Sequence, residues 1–114
     1  MNRILLASLG VLLFMGCVPQ QTLYSWNNYE TTSYNYLKNS DEKSTQELIE
    51  TYKKIIKKQT GIRKVVPPGV YADYGFLLLQ SDMKVEGMAM LQKEIELYPE
   101  SRIFIERILK ILEE

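Results

Sequence analysis

Histidine is absent from the 114 residues, and cysteine occurs once, at Cys17. Without histidine the chain lacks the commonest general base and metal ligand near neutral pH. With one cysteine it can close no disulfide within itself, and no Cys–His, Ser–His or metal-ligand spacing exists. No sign of charge prevails. The 14 Lys and Arg face 14 Asp and Glu, which argues against general nucleic-acid binding, where a strongly basic footprint is expected. Long apolar runs are also missing. The run Ile4–Met15 holds 12 residues, short of the roughly 20 that a membrane-spanning helix needs.

What is present begins with Arg3, that apolar run, and the small Gly16 directly before Cys17. This is the order of a secretory signal peptide, which is removed and takes no part in the fold. Phe14, Met15, Gly16 and Cys17 together resemble the lipobox of bacterial lipoproteins, with Phe14 where leucine is usual. The resemblance implies cleavage between Gly16 and Cys17, a diacylglyceryl group on the Cys17 thiol, and acylation of the new amino group. A free thiol is reactive and poorly suited to an oxidising exported compartment; lipidation explains both why one cysteine is kept and why no second accompanies it. Each buried methylene contributes about 0.8 kcal/mol, so one acyl chain binds reversibly and two or more hold firmly. Val18 follows the cysteine instead of the aspartate that retains such proteins in the inner membrane of enteric-type bacteria. The resemblance therefore implies the outer membrane, on its periplasmic face.

Loss of the 16 leader residues leaves 98 of the 114, near the lower end of comfortable single-core folding, so support from a partner or a second copy is expected. Val18–Asn28 reads as a lipidated tether that, with Cys17, makes up residues 17–28; its eleven residues extend to about 35 Å. A helical domain over 29–114 follows. Tyr24, Trp26, Tyr29, Tyr34 and Tyr36 crowd the junction. Such rings bury large area and keep one polar end wet. They either seal the first helix onto the domain or offer an aromatic surface, centred on Trp26 and Tyr29, to a partner or glycan.

The clearest helix lies in "SDEKSTQELIETYKKIIKKQTG". Ser44 and Glu47 have the capping-box spacing, and Leu48, Ile49, Tyr52, Ile55 and Ile56 fall on one stripe. Gly61 supplies a stop. Lys53, Lys54, Lys57, Lys58, Arg63 and Lys64 form a run with no acidic residue within it. It is either a solvated face or a contact for anionic lipid headgroups near the anchor. Pro67 and Pro68 suit a helix entrance, and Gly75 within that helix lets a neighbour approach. Ser81 or Asp82 is placed to cap the next helix, with Val85, Met88, Leu91 and Ile95 on one face. Ser101 is placed to cap the last, with Ile105, Ile108, Leu109 and Leu112 in phase. Phe104 and Ile111 widen that apolar face, which is expected to bury more than one stripe.

The two helices between Pro68 and Pro99 resemble one tetratricopeptide (TPR) repeat, an antiparallel helix pair of about 34 residues. Tyr71, Tyr74, Gly75, Leu78, Gly87, Leu91 and Pro99 take its packing positions, while Glu94 stands where alanine is usual. A degenerate earlier unit runs from Trp26 or Tyr29 to Gln59, its helices joined by "KNSDEKS". The fold expected is all-α: about two TPR-like pairs and a C-terminal capping helix. In peptide-binding repeats the first helix of each pair supplies the concave face. The matching places are Gly69, Ala72, Phe76, Leu79 and Gln80, which lack the basic and amide clamp for a peptide carboxylate. An apolar helix or loop fits that face better than a charged peptide end.

The whole chain, through its lipobox, "YSWNNY" and "PPGVYADYGFLLL", resembles a family of small bacterial lipoproteins with a TPR-like domain, commonly encoded beside lipoproteins resembling the curli secretion channel. The resemblance implies membership of an outer-membrane assembly. The expected function is that of an adaptor or assembly factor for envelope proteins, a curli-secretion-channel-like lipoprotein among them. The alternative is a pilot-type chaperone that delivers an outer-membrane subunit. No cofactor, metal, nucleic acid or small-molecule substrate is expected. Glu94, Glu96, Glu100 and Glu106 offer carboxylates of the kind used in glycoside hydrolysis, but on amphipathic helices such side chains are usually solvated faces. The chain is not expected to be an enzyme.

Overall fold

Leu48, Ile49, Tyr52 and Ile55 recur at helical period and are buried along one side of a 16-residue helix, around which the rest of the first half is built. The structure, a computed structural model, describes residues 21–113. The leader, Gly16 and Cys17 lie outside the described residues. The helices are α1 (Tyr29–Asn39), α2 (Glu42–Lys57), α3 (Val70–Gln80), α4 (Lys84–Leu97) and α5 (Arg102–Glu113), with a 3-10 turn at Pro99–Ser101. The fold is all-α, and the described residues contain no strand.

Helix α2 starts one turn earlier than its sequence suggests. Its capping box is Asp41 with Ser44: the Ser44 amide donates to the Asp41 carboxylate at 2.8 Å, and the Asp41 amide donates to Ser44 Oγ at 3.2 Å. Asp41/Ser44 and Ser44/Glu47 share the same spacing. The earlier pair prevails because its carboxylate meets the positive end of the helix dipole. Ser44 is then inside the helix and buried. Only Ser40 and Asp41 separate α1 from α2.

Ser81 and Asp82 end α3 and do not cap α4. The Met83 amide reaches back to the Leu78 carbonyl at 2.9 Å while Asp82 adopts φ +61°, a Schellman closure with aspartate in the left-handed position that glycine usually fills. Helix α4 begins at Lys84 without a side-chain cap. Ser101 likewise belongs to the 3-10 turn that Pro99 opens, and α5 starts after it.

Helices α3 and α4 form a close antiparallel hairpin through two glycines. A Cβ on Gly75 would lie 2.9 Å from the Gly87 carbonyl oxygen, and one on Gly87 would lie 2.8 Å from that of Gly75. That backbone contact sets the rotation of α4. It turns Gly87, Leu91, Glu94 and Ile95 inward and leaves Val85 and Met88 exposed, contrary to the single stripe expected from their spacing. Helix α3 serves two cores. Val70, Tyr74, Leu77 and Leu78 join the α2 stripe, with Tyr29 and Tyr36 at its edge. On the other side Ala72 meets Leu91, Ile95 and Ile105, with Phe76, Leu79 and Leu109 around them.

Candidate functional site

The crowded aromatic residues form a chain of rings running from the surface into the first core. Centroids are separated by 6.4 Å from Tyr24 to Trp26, 5.4 Å from Trp26 to Tyr29, 5.8 Å from Tyr29 to Tyr52 and 5.5 Å from Tyr52 to Tyr74. Tyr52 and Tyr74 are buried, and burial raises both phenol pKa values. Tyr29 packs at the edge of the first core and Tyr24 is half-buried, while Trp26 stays 41% exposed. Tyr34 points away to solvent.

The residues expected to face a partner through a concave surface are placed differently. Ala72 is buried, and Phe76 and Leu79 are half-buried beneath Ile105 and Leu109 of α5. The chain's own last helix occupies this face, burying Ile105 against Ala72, Leu91 and Ile95. Gln80 stays exposed and accepts a long hydrogen bond of 3.5 Å from Tyr36 Oη. The packing set is largely brought together: Tyr74, Gly75, Leu78, Gly87 and Leu91 are all buried. Tyr71 is half-buried with the Lys93 ammonium 5.8 Å from its ring centre, and Pro99 is exposed at the bend before α5.

Sequence reasoning missed the role of Glu94. It is buried in α4, where its Oε1 accepts a 2.7 Å hydrogen bond from the Gly69 amide at the start of α3. Gly69 is the N-cap residue of α3, sits at φ +91° and has no side chain to satisfy the helix's free amides. Glu94 supplies the missing acceptor from a neighbouring helix. Burial pushes its carboxyl above the usual range, while the Gly69 hydrogen bond and the nearby Ala72 and Tyr71 amides oppose the rise. Its Oε2 is buried with no hydrogen-bond partner among the described residues. The other acids once grouped with it are dispersed: Glu96 and Glu100 are exposed, and Glu106 lies 3.6 Å from Arg102 on the surface of α5. Among the described residues no three His, Cys, Asp or Glu side chains gather to hold a metal ion.

Two surfaces remain uncovered. On α5 the expectation of a doubly buried face fails, since Ile105 alone is fully buried while Phe104 is 57% and Ile111 60% exposed. Among the described residues no other helix lies over this second stripe, and Leu112 and Ile103 extend it. The second surface surrounds the N-terminal segment, the latter part of the stretch that reads as a tether. Thr22 and Leu23 carbonyls accept from the Ile62 and Arg63 amides at 3.0 and 3.1 Å. Ser25 and Gln59 exchange two bonds, the Ser25 amide to Oε1 at 3.1 Å and Nε2 to the Ser25 carbonyl at 3.0 Å. Gly61 lies under Leu23 and Tyr24, where a side chain would collide with their backbone. The glycine expected to stop α2 therefore serves a close chain crossing; α2 itself ends at Lys57.

The family model for a domain of unknown function, DUF4810, matches residues 23–108. The chain belongs to the DUF4810 family. Its matched span starts at Leu23, so the DUF4810 domain takes in the hydrogen-bonded N-terminal segment as well as the helices. No curated protein and no solved structure matches the chain significantly.

Proposed function

We propose that the chain is a lipoprotein anchored through Cys17 to the periplasmic face of the outer membrane, where its helical body docks other envelope proteins. The anchor rests on the lipobox-like Phe14–Cys17 sequence. The observation that carries docking is the uncovered stripe of α5. Phe104, Ile108 and Ile111 recur at i, i+4 and i+7, the spacing by which one helix seats against another, and two of the three are mostly exposed. In a TPR-like reading, α3–α4 is one pair and α5 takes the place of the next unit's first helix. Its outer face is then where a further helix would stack. The expected occupant is an apolar helix or loop of an envelope protein, with a curli-secretion-channel-like lipoprotein the class that the resemblance suggests.

The test places a photo-crosslinking residue at Phe104 or, as control, at exposed Tyr34 on α1, in the lipidated protein within its own membranes. One reproducible envelope partner should crosslink at 104 and not at 34; no partner at 104 defeats the docking reading. Deleting the gene distinguishes an adaptor, whose partner stays in place, from a pilot-type chaperone, whose partner goes astray. Cys17→Ser should abolish acylation and partition into membranes.

A further inference from the structure

The segment that leads back to Cys17 is pinned beside a turn with an unusual surface. The Lys64 amide closes this turn onto the Gly61 carbonyl at 3.2 Å, with Lys64 at φ +53°. Ile62 to Val65 are then all exposed while Gly61 and Val66 on either side are buried. Ile62 is 56% exposed, and Leu23, hydrogen-bonded alongside, is 53% exposed. Arg63 and Lys64 stand within the same turn. The surface is apolar at its tip and basic at its rim.

Three further cations share the N-terminal segment. Lys54, Lys57 and Lys58 line an open cavity of about 380 Å³ with Ser25, Asn27 and Thr60. The ion pairs among the described residues are Lys53–Glu50 and Arg102–Glu106, so none of Lys54, Lys57, Lys58, Arg63 and Lys64 has a carboxylate within 4 Å there. A merely solvated helix face would not need its charge continued by an apolar-tipped turn fixed against the incoming chain.

We infer that the Gly61–Val65 turn and Leu23 are a second membrane contact, resting on anionic lipid headgroups beside the anchor. Continuity with the anchor identifies the occupant. From Cys17 to Thr22 the chain spans at most about 18 Å even when fully extended, and Thr22 is bonded to Ile62. The turn is therefore held within reach of the surface in which Cys17 is lodged. Leu23, Ile62 and Val65 enter the interface, while lysine and arginine stems lie along it with their charges at headgroup level. Each such charge near an anionic surface strengthens association about fivefold at moderate salt and loses effect beyond a Debye length of about 8 Å. The contact orients the body, so that the α3–α4 turn, at the far end of the hairpin from Val66 and Tyr98, is held away from the membrane.

This inference rests on the lipoprotein reading, and its test separates the two. The full-length acylated protein is reconstituted into vesicles of phosphatidylethanolamine with phosphatidylglycerol, or of phosphatidylcholine alone. A fluorophore is placed at Val65→Cys or, at the far end of the α3–α4 hairpin, at Val85→Cys; with Cys17 acylated, each is the only free thiol. A nitroxide on the lipid headgroup should quench the label at 65 at least about twofold more than at 85, and more strongly in phosphatidylglycerol vesicles than in phosphatidylcholine. Added salt, or Arg63→Glu with Lys64→Glu, should remove the difference without releasing the protein from the vesicle. Equal quenching at the two positions, or quenching at 65 indifferent to phosphatidylglycerol, overturns the contact. Absence of lipid on Cys17 by mass spectrometry overturns the anchor instead, and is read before any vesicle is made.

Discussion

The Glu94 carboxylate of α4 accepts a 2.7 Å hydrogen bond from the amide of Gly69, and by it the start of α3 is capped from outside its own sequence. An alanine at position 94 would match the TPR pattern and fail here. Glu94→Ala leaves the first amides of α3 without an acceptor and opens a void in the second core. The expected loss is about 2 kcal/mol, the scale of a lost cap at a buried site. Glu94→Gln retains an acceptor and should cost less. Urea unfolding of the three proteins decides it, and an alanine variant with an unchanged midpoint would remove the cap from the account.

Stability should also fall from mildly acidic pH toward neutrality. Burial raises the Glu94 pKa in the fold, and Asp73 nearby adds to the rise; Asp73 itself is raised by partial desolvation, although its side chain keeps an exposed face. The folded chain holds these protons more tightly than the unfolded one. The stability they contribute is present below the unfolded value, about 4, and is lost as pH climbs through the raised folded values. Asp41 acts in the opposite sense. Its side-chain and amide bonds with Ser44 lower its pKa, so its contribution is present above the unfolded value and lost as pH drops through the folded one. Unfolding midpoints should peak at about pH 4 to 5, and Glu94→Gln should flatten the decline above it. A midpoint that climbs steadily to neutrality would contradict this assignment.

Gly75 and Gly87 give a prediction that local propensity alone would get wrong. Alanine is normally worth about 1 kcal/mol over glycine inside a helix. Here a Cβ at either position would lie within 3 Å of the facing helix's carbonyl oxygen. Overpacking of this kind costs about 1 to 3 kcal/mol, so Gly75→Ala and Gly87→Ala should each lower the melting temperature. Gly69→Ala tests a different cause, since nothing lies within 4 Å of its Cβ and only the φ of +91° resists. Its cost should be about 1 kcal/mol. If Gly75→Ala raised the melting temperature, the close hairpin would be refuted.

How much of this was readable beforehand depended on whether the signal was periodic. The α2 stripe from Leu48 to Ile55 was legible because one helix face meets one core. The Asp41 cap was off by a turn because two overlapping pairs carry the same spacing, and Ser81 and Asp82 suit the end of one helix as well as the start of another. The burial of Glu94 has no periodic signature; its traces were its place at a repeat position where alanine is usual, and Gly69, a helix start with no side-chain acceptor. Nor could spacing reveal the crossing of Leu23 over Gly61, where two irregular segments pair through backbone groups. Phe76 and Leu79 were expected to face a partner from the concave side of α3. That side had already been taken by Ile105, a competition between segments of one chain that neither segment shows alone.

The two stripes of α5 should respond in opposite ways. Ile105 is fully buried between α3 and α4, so Ile105→Ala removes packing and leaves a cavity, at an expected cost of about 2 to 5 kcal/mol. Phe104 and Ile111 stand mostly in water, and Phe104→Ser with Ile111→Ser should change stability by no more than about 0.5 kcal/mol per site. If the outer stripe docks a partner, this double variant keeps its helical circular dichroism and its melting temperature but loses the protein that crosslinks at α5. A substantial fall in melting temperature would show that the stripe is covered within the chain, and docking would then have to be sought on another face.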